Sequence, residues 1–356
     1  MGLELKHSSL GIMAIFAVTI IALIGFSSHD AYATDFVITD AASCATLPNF
    51  QDFINYLGQD TCRISGSPLT LNSTDSLTID GGIALENDNT IINNAGATIT
   101  VVSGSILQHG NINNFGTIEN NGTLSVESNV ITNDHIINNH GTIIIGAEAS
   151  LTNNLAGTIT NFDGGSISNH QFINNHGTIH NNSGGAITTS GDINISSPST
   201  FTNSGTITIN SGGSMTINDN PIDNNVGGII TNNSGGSIYI YGGTISNSGT
   251  ISNSGKIDDA GIINNNDGIN INSGGTITNN SGGTITNNSG GIHNSGTITN
   301  AGTITNNSGT INNFGGNINI NSGGIINNNG GGSDSTINNY GTITINSNGT
   351  INNNIG

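Results

Sequence analysis

Between Thr276 and Ile311 the chain reads TITNNSGGTITNNSGGIHNSGTITNAGTITNNSGTI, and solitary isoleucines (Ile277, Ile285, Ile292, Ile298, Ile304, Ile311) return every six to eight positions among Asn, Ser and Gly. Helical periodicity is absent. In units such as Thr284-Ile285-Thr286, β-branched residues alternate outward, inward, outward, as a very short strand requires. The Asn-Asn-Ser-Gly-Gly segments between units hold residues that tolerate positive φ, so the chain can turn a corner after each strand.

Magnitudes decide how such units are used. Ordering one repeat of about seven residues costs roughly 1 to 2 kcal/mol per residue in backbone entropy. Burying its single Ile returns only about 1.5 to 3 kcal/mol. A lone repeat cannot fold, whereas stacking each strand on the one a full turn away adds in-register hydrogen bonds and Ile-on-Ile contacts at a rise of ~4.8 Å. Three strands per turn predict coils of about 18 to 24 residues and a dozen or more rungs. The expected fold is therefore all-β, a parallel β-solenoid over residues 69–356. The pattern begins irregularly at Leu69-Thr70-Leu71 and becomes regular after Ile91.

Composition narrows the function. Only 7% of the 356 residues are charged, against roughly 25% in ordinary domains, so Asn, Ser and Thr must make the surface polar. There are 22 acidic and 3 basic residues, a net charge of −19. So few cations cannot neutralise a run of phosphates, which excludes nucleic acid as a partner and disfavours anionic membrane surfaces. The acidic residues are scattered, giving a diffuse field suited to solubility.

Residues 1–33 read as a secretory signal: Lys6 is the positive end, Leu10 to Phe26 an uncharged apolar run, and Ala31-Tyr32-Ala33 a cleavage site of small residues. Cleavage after Ala33 is expected, with retention as an anchor the alternative; beyond this segment no membrane association is expected. The chain is thus expected to be secreted or held at the cell surface. Residues 34–68 differ in composition and read as an N-terminal cap. Asp35-Phe36-Val37-Ile38-Thr39 alternates like a first strand, while Leu47, Phe50, Phe53, Ile54 and Leu57 recur at helical spacing between Pro48 and Gly58, predicting a short amphipathic helix. Cys44 and Cys62, an even pair in an exported chain, are expected to form a disulfide that staples this cap.

Units such as Gly116-Thr117-Ile118-Glu119-Asn120-Asn121 and Gly302-Thr303-Ile304-Thr305-Asn306-Asn307, preceded by a cap from Phe36 to Leu57, resemble the secreted and surface-exposed parallel β-helix proteins. These are the pectin-lyase-like superfamily in its adhesin or autotransporter-passenger form. The uneven spacing looks more like the right-handed β-helix than the stricter left-handed hexapeptide type. Enzymatic members of that superfamily cut polysaccharides with an Asp cluster, or with calcium and a basic residue.

The chain has one acidic pair, Asp258-Asp259, beside Lys256. It is the one place to look for acid–base work, and a solvated corner is the plainer reading. His140 and His176 occur in the same motif, Ile-Asn-Asn-His-Gly-Thr-Ile, with His135, His170 and His180 not far away. At about 18 residues per coil they would share a corner two rungs apart, roughly 10 Å, too far for one ion. Gly330-Gly331-Gly332-Ser333-Asp334 is a single loose approximation to a calcium repeat. Thr-Ile-Thr recurs at 98–100, 158–160, 206–208, 276–278, 284–286, 297–299, 303–305 and 342–344, and on one flat face such pairs would form an ice-binding array. N-x-[ST] acceptors stand at Asn72, Asn121, Asn181, Asn194, Asn232, Asn279, Asn287, Asn306 and Asn348, where an exporting cell could attach sugar. The resulting expectation is a non-enzymatic structural or adhesive protein without catalytic residues, cofactor or metal. Its partners would be glycans, other cells or copies of itself. A polysaccharide lyase or hydrolase and an ice-binding protein are the alternatives.

Overall fold

The computed structural model describes residues 34–354 apart from 49, 57–58, 109 and 330–334; the expected signal segment and the calcium-like loop lie outside the described residues. The chain winds through three sheets of 15, 15 and 14 strands, visiting them in fixed order, so that every strand except Phe50–Tyr56 pairs in parallel with the one a full coil away. Beyond the first coil, which takes in the cap, coil length read from the register runs from 17 residues (Leu107 against Leu124) to 26 (Ile311 against Ile337). Within this solenoid the columns predicted from the sequence form: Ile245 pairs with Ile263, Ile285 with Ile304, and Ile277 with Ile298. All six are buried.

Corner chemistry explains the uneven spacing. Six-residue steps place two residues between strands, as Ala301-Gly302 between Thr297–Asn300 and Thr303–Asn306. Eight-residue steps place four, as Asn280-Ser281-Gly282-Gly283, where Gly282 adopts φ +90°. At the tight corners close approach, not φ, demands glycine: a Cβ on Gly255 would lie 2.3 Å from the Gly236 carbonyl oxygen one coil above. Gly255→Ala is therefore expected to cost about 1–3 kcal/mol, read as a lowered denaturation midpoint, although Gly255 has no unusual dihedral.

The cap departs from its sequence reading. Strand β1 (Asp35–Ile38) forms as predicted and pairs in parallel with Ser76–Ile79, becoming the first rung of the first sheet. The helix expected between Pro48 and Gly58 does not form over the described residues. Phe50–Tyr56 is instead a strand, β2, antiparallel to β3 (Gln59–Ile64), and β3 pairs onward with Ala84–Asn87 as the first rung of the second sheet. A seven-residue segment rich in Phe, Asn, Asp and Tyr is too short and too weak in propensity to hold a helix alone. As a strand it covers the otherwise open edge of β3. The helical component is the single turn α1 (Ala41–Cys44), started by a capping box in which the Asp40 carboxylate accepts from Ser43 N–H and Ser43 Oγ accepts from Asp40 N–H.

Cys44 and Cys62 are joined, with Cα atoms 5.7 Å apart, tying α1 to β3. Both are buried with Ile38, Leu47 and Ile64. Arg63 binds the hairpin to the next coil through Asp52 at 3.4 Å and Glu86 at 3.2 Å. Cys44→Ser with Cys62→Ser should destabilise the cap by about 3 kcal/mol, the loop-closure value for a ring of this size. Hydrogen exchange should quicken in residues 35–64 and stay unchanged in the distal coils, because a solenoid passes stability only between neighbours.

Candidate functional site

Alternation along each four-residue strand sets what faces inward. In Thr-Ile-x-Asn the second and fourth residues are both buried, except in the last coil, so an asparagine column runs beside each isoleucine column. In the first sheet it is continuous from Asn120 to Asn353, twelve asparagines on successive coils. Each Nδ2 donates to the next Oδ1 at 2.7 to 3.0 Å. The second amide hydrogen goes to a backbone carbonyl, as from Asn161 to Ala186 at 3.1 Å. Shorter ladders join Asn93 to Asn175 in the third sheet and Asn232 to Asn253 in the second.

These ladders have a direction. The orphaned amide oxygens among the described residues belong to Asn93, Asn120, Asn232 and Asn279. The first three open a ladder below Leu71, Val101 and Ile209, which have nothing to donate. Reading Asn only as a turn residue misses this column; extending the outward–inward alternation of Thr-Ile-Thr by one residue would have found it.

The outward positions are the surface available to a partner. They carry mainly Thr, Ser and Asn in register on all three sheets. Thr284 and Thr286 pair with Thr303 and Thr305, and Thr276 and Thr278 with Thr297 and Thr299. The eight Thr-Ile-Thr units are divided: four on the first sheet, one on the second (206–208), three on the third. No unbroken threonine plane results.

The acidic pair is also divided. On strand Lys256–Asp259, Asp258 points outward and Asp259 inward, where it is fully buried. Asp258 sits 2.7 Å from Lys256 Nζ, and Nζ lies 5.1 Å from the Tyr239 ring centre. Burial pulls the Asp258 pKa up, but hydrogen bonds from Lys256 and Asn280 leave it below the ordinary carboxylate value. Two carboxylates on opposite faces of one strand cannot work on one substrate, so the pair does not form an acid–base site.

With this geometry in place, comparison with known proteins adds little. No family model matches the chain, and no curated protein does. Among solved structures, it is similar to a TibC-catalysed, hyper-glycosylated fragment of TibA, at 21% identity and a TM-score of 0.30, over 75% of this chain and 97% of that one. A TM-score of that size carries no argument about function.

Among the described residues the histidines do not gather. His140 and His176 take different corners, His140 following a first-sheet strand and His176 a third-sheet strand. The coils around these two residues run from 20 to 24 residues, so a separation of 36 is not two whole turns. His140 stacks on Phe162 at 4.2 Å, and His180 bonds Thr202 through Nδ1 at 2.8 Å. His135 bonds the Gly116 carbonyl and His170 bonds Ser168 and Ser190. Among the described residues no group of three or more His, Cys, Asp or Glu could hold a metal ion, and no helix is long and apolar enough to cross a membrane.

The nine glycan acceptors fall into two sets. Asn181, Asn232, Asn279, Asn287 and Asn306 are ladder members, buried with their amide hydrogens committed; a sugar there is incompatible with the folded core. Asn72, Asn121 and Asn348 are exposed, and Asn194 is half-buried on an outward position. In a host that glycosylates exported chains, glycopeptide mapping of folded protein is expected to find sugar only within this second set.

Proposed function

We propose that the chain is an exported structural or adhesive protein of the cell surface or surrounding matrix, built on the adhesin type of pectin-lyase-like scaffold. It would make many weak contacts rather than one strong one. The observation that carries this reading is the in-register repetition of neutral hydrogen-bonding side chains down three faces about 14 coils long. Each Thr, Ser or Asn offers little alone, but contacts repeated at ~4.8 Å add through effective concentration, and avidity can exceed a single contact by about 10²–10⁴. Hydroxyl- and amide-rich columns suit glycans, other cells or a second copy of the rod. The separated acidic pair supports a non-enzymatic role.

The test is retention of the exported chain on glycan arrays and whole cells, alone and after removal of residues 262–283. That deletion excises one coil and brings Thr284 beneath Thr244 in the register Ile262 now holds. Binding that weakens several-fold with each coil removed, while the circular dichroism per residue stays constant, is the expected outcome. Failure to bind any surface, or turnover of an acidic polysaccharide that disappears in Asp258→Ala, would overturn it.

A further inference from the structure

Asp259 occupies a position that the third sheet otherwise fills with an amide or an aliphatic side chain. In the fourth inward column of the third sheet it follows Ile195, Ile217 and Ile240 and precedes Asn279 and Asn300. Its Oδ1 accepts from Gly261 N–H at 2.9 Å, as Asn294 Oδ1 accepts from Gly296 N–H at 3.2 Å. Asp259 is thus seated like a ladder asparagine, with Oδ2 in the place of Nδ2. The next ladder member, Asn279, commits its Nδ2 downstream to Asn300 Oδ1 and the Thr303 carbonyl, so by the direction of the ladder its Oδ1 is the atom left for Asp259. Elsewhere the equivalent pair is bonded at about 2.8 Å, as from Asn279 to Asn300. Here Asp259 Oδ2 and Asn279 Oδ1 are both buried without a partner. Among the described residues, Asn279 is the one orphaned ladder oxygen whose upstream neighbour is polar.

Two buried acceptors facing one another are not a stable arrangement, and a proton between them removes the conflict. We propose that Asp259 is held as a carboxylic acid donating Oδ2–H to Asn279 Oδ1, which makes this coil a proton-dependent joint in the shaft.

Among the described residues no cation competes for the role. Of the chain's three basic residues, Lys6 lies outside the described residues, Arg63 is in the cap, and Lys256 points outward onto Asp258. The flanking strands contribute Tyr239 and Tyr241 on the outer side, Ile240 above and Asn279 below, and no histidine. The other buried acid among the described residues, Asp75, shows the contrast: its carboxylate accepts from Thr34 N–H, Asn72 N–H and Asn72 Nδ2, so it is satisfied as an anion.

Burial of Asp259, opposed by the Gly261 hydrogen bond and reinforced by Asp258, raises its pKa to about 6. The sign follows: the folded state binds this proton more tightly than the unfolded state. Stability associated with the group is complete below the ordinary aspartate value of 3.8 and is lost as pH rises to about 6. The shaft is therefore firm in acid and loosened at this coil in neutral surroundings.

The full exported chain tests this by two readouts. In hydrogen exchange corrected for intrinsic rate, opening of peptides spanning Ile257–Thr284 should increase up to about a hundredfold between pH 4 and pH 7, since proton linkage changes an equilibrium about tenfold for each pH step between the unfolded and folded pKa values. Asp259→Asn, which supplies the missing donor, should abolish that increase and leave coils near Ile112 and Ile326 unaffected. The Asp259 carboxyl carbon, assigned by its loss in the variant, should titrate well above ordinary aspartates. Equal pH dependence in the two proteins, or titration of Asp259 in the ordinary range, overturns the proposal. Should the variant fail to fold, the wild-type titration decides.

Discussion

Asn161→Ala should destabilise the solenoid by about 3–5 kcal/mol, as much as removing a large core side chain. Asn161 accepts from Asn139 Nδ2 at 2.7 Å and donates to Asn181 Oδ1 at 2.7 Å, Gly165 O at 3.1 Å and Ala186 O at 3.1 Å. Alanine leaves the Asn181 oxygen without a donor and Asn139 short of an acceptor, in a site where water cannot replace either. Each buried orphan costs about 1–3 kcal/mol, and lost packing adds to that. Hydrogen exchange should show the loss concentrated in the coils holding Asn139, Asn161 and Asn181. Asn161→Leu should be milder, because Ile195, Ile217 and Ile240 show that the same inward position in the third sheet accepts an aliphatic chain. A loss below about 1 kcal/mol in Asn161→Ala, less than one buried orphan, would mean that the ladder is incidental to the fold.

Phe201→Ala should cost about 3–5 kcal/mol, the range for truncating a fully buried aromatic. Phe201 stands in the first-sheet isoleucine column between Ile179 and Ile222 and is 1% exposed. Its neighbours are held at the fixed rise of their own hydrogen-bonded strands, so they cannot close on the space left. Phe201→Ile, restoring the column's usual residue, should recover most of the loss. The comparison is best read from guanidinium midpoints of the three proteins alongside far-ultraviolet circular dichroism. Both substitutions should act locally, since each coil contacts only its neighbours.

Much of the architecture was legible in the residues. Solitary isoleucines such as Ile277, Ile285 and Ile292 cannot be buried by any unit alone, which compels stacking, and Gly-Gly corners space the strands. The cap was legible in part: strand Asp35–Ile38 and the Cys44–Cys62 pairing follow from alternation and an even cysteine count. The helix expected between Pro48 and Gly58 was a wrong period assignment. Phe50, Phe53 and Ile54 fit a helical stripe, yet pairing with Gln59–Ile64 satisfies backbone groups that a lone short helix would leave to solvent.

Site chemistry was less legible, because variable corners break the link between sequence distance and position on the rod. His140 and His176 share a motif but not a corner, and eight Thr-Ile-Thr units share a motif but not a face. Neighbours in sequence parted as well: alternation sent Asp258 to solvent and Asp259 to the core.

From the sequence alone came the obligation to stack: an isoleucine every six to eight residues has nowhere to go except onto its counterpart a coil away. Tertiary structure alone decided which coil-mates meet, since corners of differing length set each register. It therefore chose which asparagines became a buried hydrogen-bonded column and which stayed at the surface. The physical reason is that an isoleucine will pack on any apolar neighbour, whereas a buried amide is tolerable only where the next coil presents its complement.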